Sequence, residues 1–132
     1  MKKLTIDSSV IIASLLENEP RHGEALGIWE SVIAGRDVAI MPYSVFVEVV
    51  AAIRRRTCSE ELAYEVKSEL LEIENISFVA LDQKAAEEAA DLAIRTGVRG
   101  MDALVMQVAQ EFATELITFD DEMMKKSQTI LK

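Results

Sequence analysis

The sequence predicts a three-layer α/β/α protein in which a central parallel sheet of four to five strands lies between two layers of helices. Short β-prone runs alternate along the chain with longer segments of helical periodicity. Strands that are separated by helices pair in parallel through right-handed crossovers. The 132 residues contain no internal repeat, low-complexity tract or Pro/Gly/Ser-rich linker, so we expect a single domain spanning residues 1–132.

The first strand and the two helices after it are predicted from local signals. Residues 2–6 form a β-prone run, and Asp7 then begins an Asp-Ser-Ser segment of helix-capping side chains. The apolar run at residues 10–16 predicts the first helix. Pro20 suits the start of a second helical stretch, and Gly35 stands where a terminating glycine is expected.

The middle of the chain is predicted to contain the second and third strands. The second strand, residues 38–41, ends at Pro42, which suits the first turn of a helix that runs to about residue 56. Ser59 is followed by two glutamates and is a good N-cap for a further helix to about residue 74. The apolar run at residues 76–81 predicts the third strand.

The last third of the chain repeats this alternation. Asp82 can cap an alanine-rich helix that extends to about residue 94 and that Gly97 can close. The remaining elements are, in order, a helix at residues 101–112, a fourth strand at 115–119, a short helix with acidic residues 120–122 in its first turn, and a small fifth strand at 129–131.

The composition excludes several classes of protein. Fourteen Lys and Arg residues against 23 Asp and Glu residues give a net charge of −9, which repels phosphates and argues against nucleic-acid binding through the overall charge. That argument fails if the acids are gathered in one site that divalent cations neutralise. One cysteine, Cys58, and one histidine, His22, exclude a cysteine cluster or a histidine-rich metal site within one chain.

Three features of the sequence bear on its location. Asp7 interrupts the apolar stretch near the start before the core of a signal peptide could form. The longest uncharged runs fall well short of the ~20 apolar residues that cross a bilayer. A lone thiol also suits a reducing compartment. We therefore expect a cytoplasmic protein.

Four acidic residues are candidates for the chemistry, although each also has an ordinary interpretation. Asp7 and Asp120 directly follow predicted strands, where an Asp is usually an N-cap. Glu48 lies in a largely apolar helix, on a small and polar stripe that suits either an exposed surface or a shallow pocket. Asp102 lies in the first turn of a helix and on its apolar face, where it could simply interact with the helix dipole.

The four positions together favour a metal site. Ligands of parallel α/β sheets bind beyond the carboxyl ends of the strands, so these carboxylates could converge on one crevice. Unpaired carboxylates that converge repel one another and destabilise the fold unless a cation lies among them. Mg²⁺ and Mn²⁺ prefer oxygen ligands and leave coordination positions for a substrate phosphate.

The motifs also carry a resemblance to a known family. They are Asp7-Ser8-Ser9 after the first strand, the helix from Pro42 that carries Glu48, the segment at residues 99–104 with Asp102, and Thr118-Phe119-Asp120 after the last long strand. In this order, and across essentially the whole chain, they resemble the PIN-domain ribonucleases, and most of all the VapC toxins of type II toxin–antitoxin pairs.

The resemblance implies a set of site residues. The catalytic and metal-binding residues would be Asp7, Glu48, Asp102 and Asp120. The hydroxyls of Ser9 and Thr118 would support the metal or its bound water, and Asp121 could assist. The family often has Asn or Thr at the position of Ser9.

The activity that the resemblance implies is a Mg²⁺- or Mn²⁺-dependent endoribonuclease that activates a bound water and leaves a 5′ phosphate. Positive residues would have to guide the RNA, and Arg55 and Arg99 are the candidates, within a wider set of Arg54, Arg56, Lys125 and Lys126. The implied partners are a cognate antitoxin, which could place an arginine in the acidic pocket, and a second copy of the chain in a homodimer.

Two other functions remain open from the sequence. A PIN-like fold could be a catalytically inactive protein-binding module whose acids no longer bind metal. A phosphotransfer domain with an aspartyl phosphate fits poorly, because a haloacid-dehalogenase-like site needs a second Asp where this chain has Ser9. A receiver domain would need an acid pair at the same place and a Lys after a late strand.

Overall fold

The computed structural model describes residues 1–131, which form a four-stranded parallel sheet flanked by seven helices. The strands are β1 (Lys3–Ile6), β2 (Val38–Pro42), β3 (Ile76–Val79) and β4 (Glu115–Ile117). The helices are α1 (Ser8–Leu15), α2 (His22–Ile33), α3 (Tyr43–Thr57), α4 (Glu60–Glu72), α5 (Gln83–Thr96), α6 (Gly100–Phe112) and α7 (Asp121–Gln128). This arrangement confirms the predicted α/β class.

The strand order in the sheet is β3-β2-β1-β4, and every neighbouring pair is parallel. Right-handed crossovers place α1 to α4 on one face of the sheet, because the chain moves from β1 through β2 to β3 in one direction. The return from β3 to β4 runs the opposite way and places α5 and α6 on the other face. Accordingly, α6 packs against β1, β2 and β4.

The main core lies between the sheet and these helices. Ile6 on β1, Val10 and Ile11 on α1, Met41 on β2 and Met106 on α6 are fully buried. Apolar residues from both helical layers belong to the same cluster as these strand residues. Burial of this kind stabilises a domain by about 25 cal/mol per Å² of apolar surface and fixes where the strand ends lie.

Several element boundaries have the local chemistry that the sequence predicted. Ser59 accepts a hydrogen bond from the Leu62 amide at 3.0 Å, and Asp82 accepts one from the Ala85 amide at 2.8 Å. Gly97 ends α5 in the left-handed conformation, with φ of +75°, which glycine adopts without steric cost.

The predicted fifth strand is wrong for residues 129–131. The amides of Ile130 and Leu131 both donate to the Ser127 carbonyl at the end of α7, so they are not available to a sheet partner. Three other boundaries differ from the predicted ones by two residues. α2 begins at His22 and not at Pro20, β3 ends at Val79, and β4 ends at Ile117. No helix within residues 1–131 is long and apolar enough to cross a membrane.

The reversal of strand order has a consequence for the site. In the sheet, β2 lies on one side of β1 and β4 lies on the other. The connections that follow β1 and β4 therefore run to opposite sides, and a crevice opens at the carboxyl ends of these two strands. Asp7 is the first residue after β1, and Thr118 is the first residue after β4. The fold therefore brings two sequence-distant segments together at this edge of the sheet.

Candidate active site

Asp7 lies at the centre of the crevice. Its side chain is only 7% exposed, and its Oδ2 atom accepts hydrogen bonds from the Thr118 and Ser9 hydroxyls, each at 2.9 Å. Although Asp7 occupies the N-cap position of α1, its side chain makes no capping hydrogen bond. The ordinary interpretation of this residue as a helix cap is therefore wrong, because the two hydroxyls hold its carboxylate in the crevice instead.

Thr118 links Asp7 to the next acid along the chain. Its Oγ1 atom donates to Asp7 and accepts a hydrogen bond from the Asp120 amide at 3.1 Å. Asp120 caps α7, since its Oδ1 accepts from the Met123 amide at 3.0 Å. The capping interpretation is thus correct for one oxygen of Asp120, and the other oxygen has no hydrogen-bond partner within residues 1–131.

Glu48 approaches the same crevice from α3. The Ser8 hydroxyl donates to its Oε1 at 3.4 Å. Burial raises the pKa of the Glu48 carboxyl above its ordinary value, and the negative charges of Asp7 and Asp102 raise it further, while the Ser8 hydroxyl acts in the opposite direction. The sequence allowed Glu48 to lie either on an exposed surface or in a shallow pocket. The structure shows that it faces the pocket.

Asp102 completes the group from the first turn of α6. Burial raises the pKa of its carboxyl, and the neighbouring charges of Asp7 and Asp120 add to the effect, whereas the Arg99 guanidinium lowers it. Since Asp7 raises the pKa of both Glu48 and Asp102, and Asp120 raises that of Asp102, the four carboxylates form one electrostatic cluster. The structure thus brings together all four acids that the sequence singled out.

The donor set of this cluster is suited to a hard divalent cation. Each acid keeps at least one carboxylate oxygen that accepts no hydrogen bond within residues 1–131. The only buried side-chain oxygen without a partner in that range is Ser44 Oγ, so the free carboxylate oxygens reach solvent. However, no three acidic, His or Cys side chains among the described residues are arranged so that they could hold a metal ion as they stand. Rotation of side chains would have to bring the oxygens closer together.

A groove of about 600 Å³ opens beside the cluster. Glu48, Asp102 and Arg99 line it on one side, and four alanines of α5 line the other: Ala86, Ala89, Ala90 and Ala93. Its wall of methyl groups leaves the two carboxylates accessible, and Arg99 supplies positive charge beside them. The groove can therefore admit an extended or unpaired chain to the acids.

The other predicted residues differ in their relation to the cluster. Ser9 and Thr118 contact Asp7 as described. Asp121 is exposed in the first turn of α7 and makes no hydrogen bond to the acids within the described range. Arg55 is exposed in the last turn of α3, seven residues beyond Glu48, which is about 10 Å along a helix.

Among the wider set of basic residues, two are already paired. Arg56 forms an ion pair with Glu19 at 2.8 Å, and Lys126 forms one with Glu122 at 2.6 Å. Ser8, by contrast, contacts Glu48 and was not predicted as a site residue. Its only sequence signal is its place directly after Asp7, at the buried start of a helix.

Comparison with known proteins bears on this arrangement. A family model described as the PIN domain matches residues 4–127. Among solved structures, VapC20 of Mycobacterium tuberculosis, a toxin that cleaves the sarcin–ricin loop, is similar with a TM-score of 0.78 and 20% sequence identity, over 92% of this chain and 93% of that chain. At that identity the likeness bears on the fold. No curated protein matches the sequence.

Proposed function

The chain belongs to the PIN domain family, and from that premise we propose that it is a ribonuclease that hydrolyses RNA phosphodiester bonds with the help of Mg²⁺ or Mn²⁺. The observation that carries the proposal is the electrostatic cluster of Asp7, Glu48, Asp102 and Asp120 at the carboxyl ends of β1 and β4. Neighbouring negative charges that raise the pKa of Glu48 and Asp102 in this way cost stability, and a bound divalent cation would remove that cost.

The residues of the chain have distinct roles in this proposal. The four acids would hold the cation, which when bound lowers the pKa of a coordinated water and stabilises the leaving oxygen. Asp7 is held in place by the Ser9 and Thr118 hydroxyls, so its free Oδ1 has a fixed position. Arg99, at the side of the groove, would bind a phosphate oxygen of the substrate.

An unpaired RNA segment is the substrate that we propose. A duplex would have to open before one strand could enter a groove that lies between helices, whereas a loop or a single strand could enter directly. The structural neighbour VapC20 cleaves the sarcin–ricin loop, which supports a looped substrate. Because the protein has a net charge of −9, it repels phosphates, and the positive charges of Arg99 and Arg55 would have to offset that repulsion.

We further propose that the protein is the toxin of a toxin–antitoxin pair and acts in the cytoplasm. The groove, with its apolar alanine wall and two acids, would suit an antitoxin segment that packs apolar side chains against α5 and pairs an arginine with Glu48 or Asp102. Homodimer formation remains a prediction from the family resemblance.

The experiment that tests this function compares the parent chain with a variant carrying Asp7→Asn and Asp102→Asn. Both are incubated with fluorescent single-stranded RNA and Mn²⁺, and then with EDTA. We expect the parent to cut the RNA only with Mn²⁺, and the double variant to lose at least ~100-fold in rate. Asp91→Asn, an exposed substitution on α5, is the matched control and should cut like the parent. Equal rates for parent and double variant would refute the site.

One observation favours the inactive binding module as a second candidate. No three acids within residues 1–131 are arranged to hold an ion as they stand. If that arrangement persists in solution, the parent should not bind Mn²⁺ and should not cut RNA, but it should still bind a cognate antitoxin. Calorimetric titration with Mn²⁺ separates the two functions, because only the nuclease requires measurable binding.

A further inference from the structure

Two consecutive serines at the start of α1 contact different acids. Ser9 donates to Asp7 Oδ2 at 2.9 Å, whereas Ser8 donates to Glu48 Oε1 at 3.4 Å. Successive residues of an α-helix point about 100° apart, so neighbouring side chains reach different parts of the surroundings. Ser8 thereby connects α1 to α3, across 40 residues of sequence.

The environment of Ser8 points to a specific purpose for its hydroxyl. The residue is buried, with 8% of its surface exposed, and Glu48 is its only side-chain hydrogen-bond partner within the described residues. It does not cap α1, since Asp7 occupies the N-cap. A hydroxyl that is buried without a hydrogen bond costs free energy, so a purely structural position would favour alanine here.

Three acids of the cluster accept a hydrogen bond within residues 1–131, and Glu48 is the most flexible of the three, whereas Asp102 accepts none. Asp7 is held by two hydroxyls, and Asp120 by the helix that it caps. Glu48 has a longer side chain with more rotatable bonds, and Ser8 is its only hydrogen-bond donor within residues 1–131. Fixing a flexible side chain costs conformational entropy, which a positioning contact offsets before a ligand arrives.

We propose that Ser8 is a positioning residue that orients the Glu48 carboxylate toward Asp7 and Asp102. The 3.4 Å contact is at the long end of the hydrogen-bond range, and it would shorten as the carboxylates converge. This inference rests on the proposed function, because it assigns Ser8 to the cation affinity of the same cluster. Ser8 itself binds no cation in the proposal.

The test measures Mn²⁺ binding directly, by calorimetry or by electron paramagnetic resonance, in the full-length chain without RNA. Ser8→Ala should weaken Mn²⁺ binding by about tenfold, as loss of a contact that orients a metal ligand commonly does. Ser8→Thr keeps the hydroxyl and should bind within about twofold of the parent. Ser14→Ala is the matched control, since Ser14 is also a buried serine of α1 but donates only to the Ile11 carbonyl.

The outcomes separate this inference from the function on which it rests. If Ser8→Ala binds Mn²⁺ as tightly as the parent while Glu48→Gln binds more weakly, the role of Ser8 is refuted and the nuclease proposal stands. If Ser8→Ala and Ser14→Ala weaken binding equally, or if Ser8→Thr does not recover it, the effect is structural and the role is also refuted. A parent chain that binds no Mn²⁺ overturns the proposed function and this inference with it.

Discussion

Replacing Thr118 by valine removes one buried hydroxyl and keeps the shape of the side chain. The substitution deletes the hydrogen bond to Asp7 Oδ2 at 2.9 Å and the bond from the Asp120 amide at 3.1 Å. A hydrogen bond to a charged group contributes roughly 1.5–3 kcal/mol, and a neutral one roughly 1 kcal/mol. Because Asp120 lies nearer to solvent and water can replace part of its loss, we expect Thr118→Val to lower the free energy of unfolding by about 2–3 kcal/mol.

That loss converts into a measurable change of melting temperature. The entropy of unfolding is about 2.1 cal/mol/K per residue, so a chain of 132 residues has about 0.28 kcal/mol/K. A loss of 2–3 kcal/mol then lowers Tm by roughly 7–11 °C. Thermal unfolding followed by circular dichroism, in EDTA, measures this change without any contribution from a bound cation.

Thr96 provides a matched control, because its hydroxyl also makes two hydrogen bonds but none to a carboxylate. It donates to the Leu92 carbonyl at 2.7 Å and accepts from the Val98 amide at 3.3 Å. Thr96→Val should therefore cost only about 0.5–1.5 kcal/mol. A double-mutant cycle should show at least ~1 kcal/mol of coupling between Thr118→Val and Asp7→Asn. Equal losses at Thr118 and Thr96, or additive effects in the cycle, would refute the reasoning about Asp7.

Three further predictions address the acids themselves. Burial and Asp7 raise the pKa of Glu48, so the folded state takes up its proton at a higher pH than the unfolded state does, and this group lowers stability as pH rises. Glu48→Gln should therefore raise both the Tm and the free energy of unfolding of the metal-free protein at pH 7.5. The gain in free energy should be no more than about 1 kcal/mol, because the carboxylate is partly solvated, and it should vanish near pH 4. An unchanged or lower Tm at pH 7.5 contradicts this prediction. Asp120→Asn should keep the cap of α7 and lose nuclease activity, whereas Asp120→Ala should lose both the activity and about 1 kcal/mol of stability. If Asp120→Asn is as active as the parent, Asp120 does not belong to the site. Mn²⁺ at 100 times its Kd should stabilise the parent by about 2.7 kcal/mol in a thermal shift assay and should not stabilise the Asp7→Asn, Asp102→Asn double variant. If Mn²⁺ raises the Tm of both proteins equally, the ion binds elsewhere.

The local elements of the fold could be predicted from the sequence because their signals lie within a few residues of one another. Ser59 and Asp82 cap the helices that follow them, and Gly97 ends α5 with a positive φ. The class of fold followed from the alternation of strands and helices, since parallel pairing leaves few topologies. Because ligands of parallel sheets bind beyond the carboxyl ends of the strands, the sequence also predicted that Asp7 and the segment after β4 lie at the same edge of the sheet.

Two outcomes depended on competition between possible partners, and one of them is the failed prediction of a fifth strand. Residues 129–131 have a β-prone sequence, but the end of α7 takes the amides of Ile130 and Leu131. Asp7 stands at a helix start, but its carboxylate bonds to hydroxyls in place of the helix amides. Local sequence shows that both partners are chemically suitable and does not show which one lies nearer.

The sequence by itself determined the elements, the fold class and four acids worth attention. Only the tertiary structure decided that Thr118 holds Asp7 across 111 residues and that Ser8 contacts Glu48. The physical reason is the range of the interactions involved. Helix periodicity and capping act between near neighbours in the chain, whereas the orientation of a carboxylate is set by whichever donors the packed sheet and helices bring within about 3 Å of it.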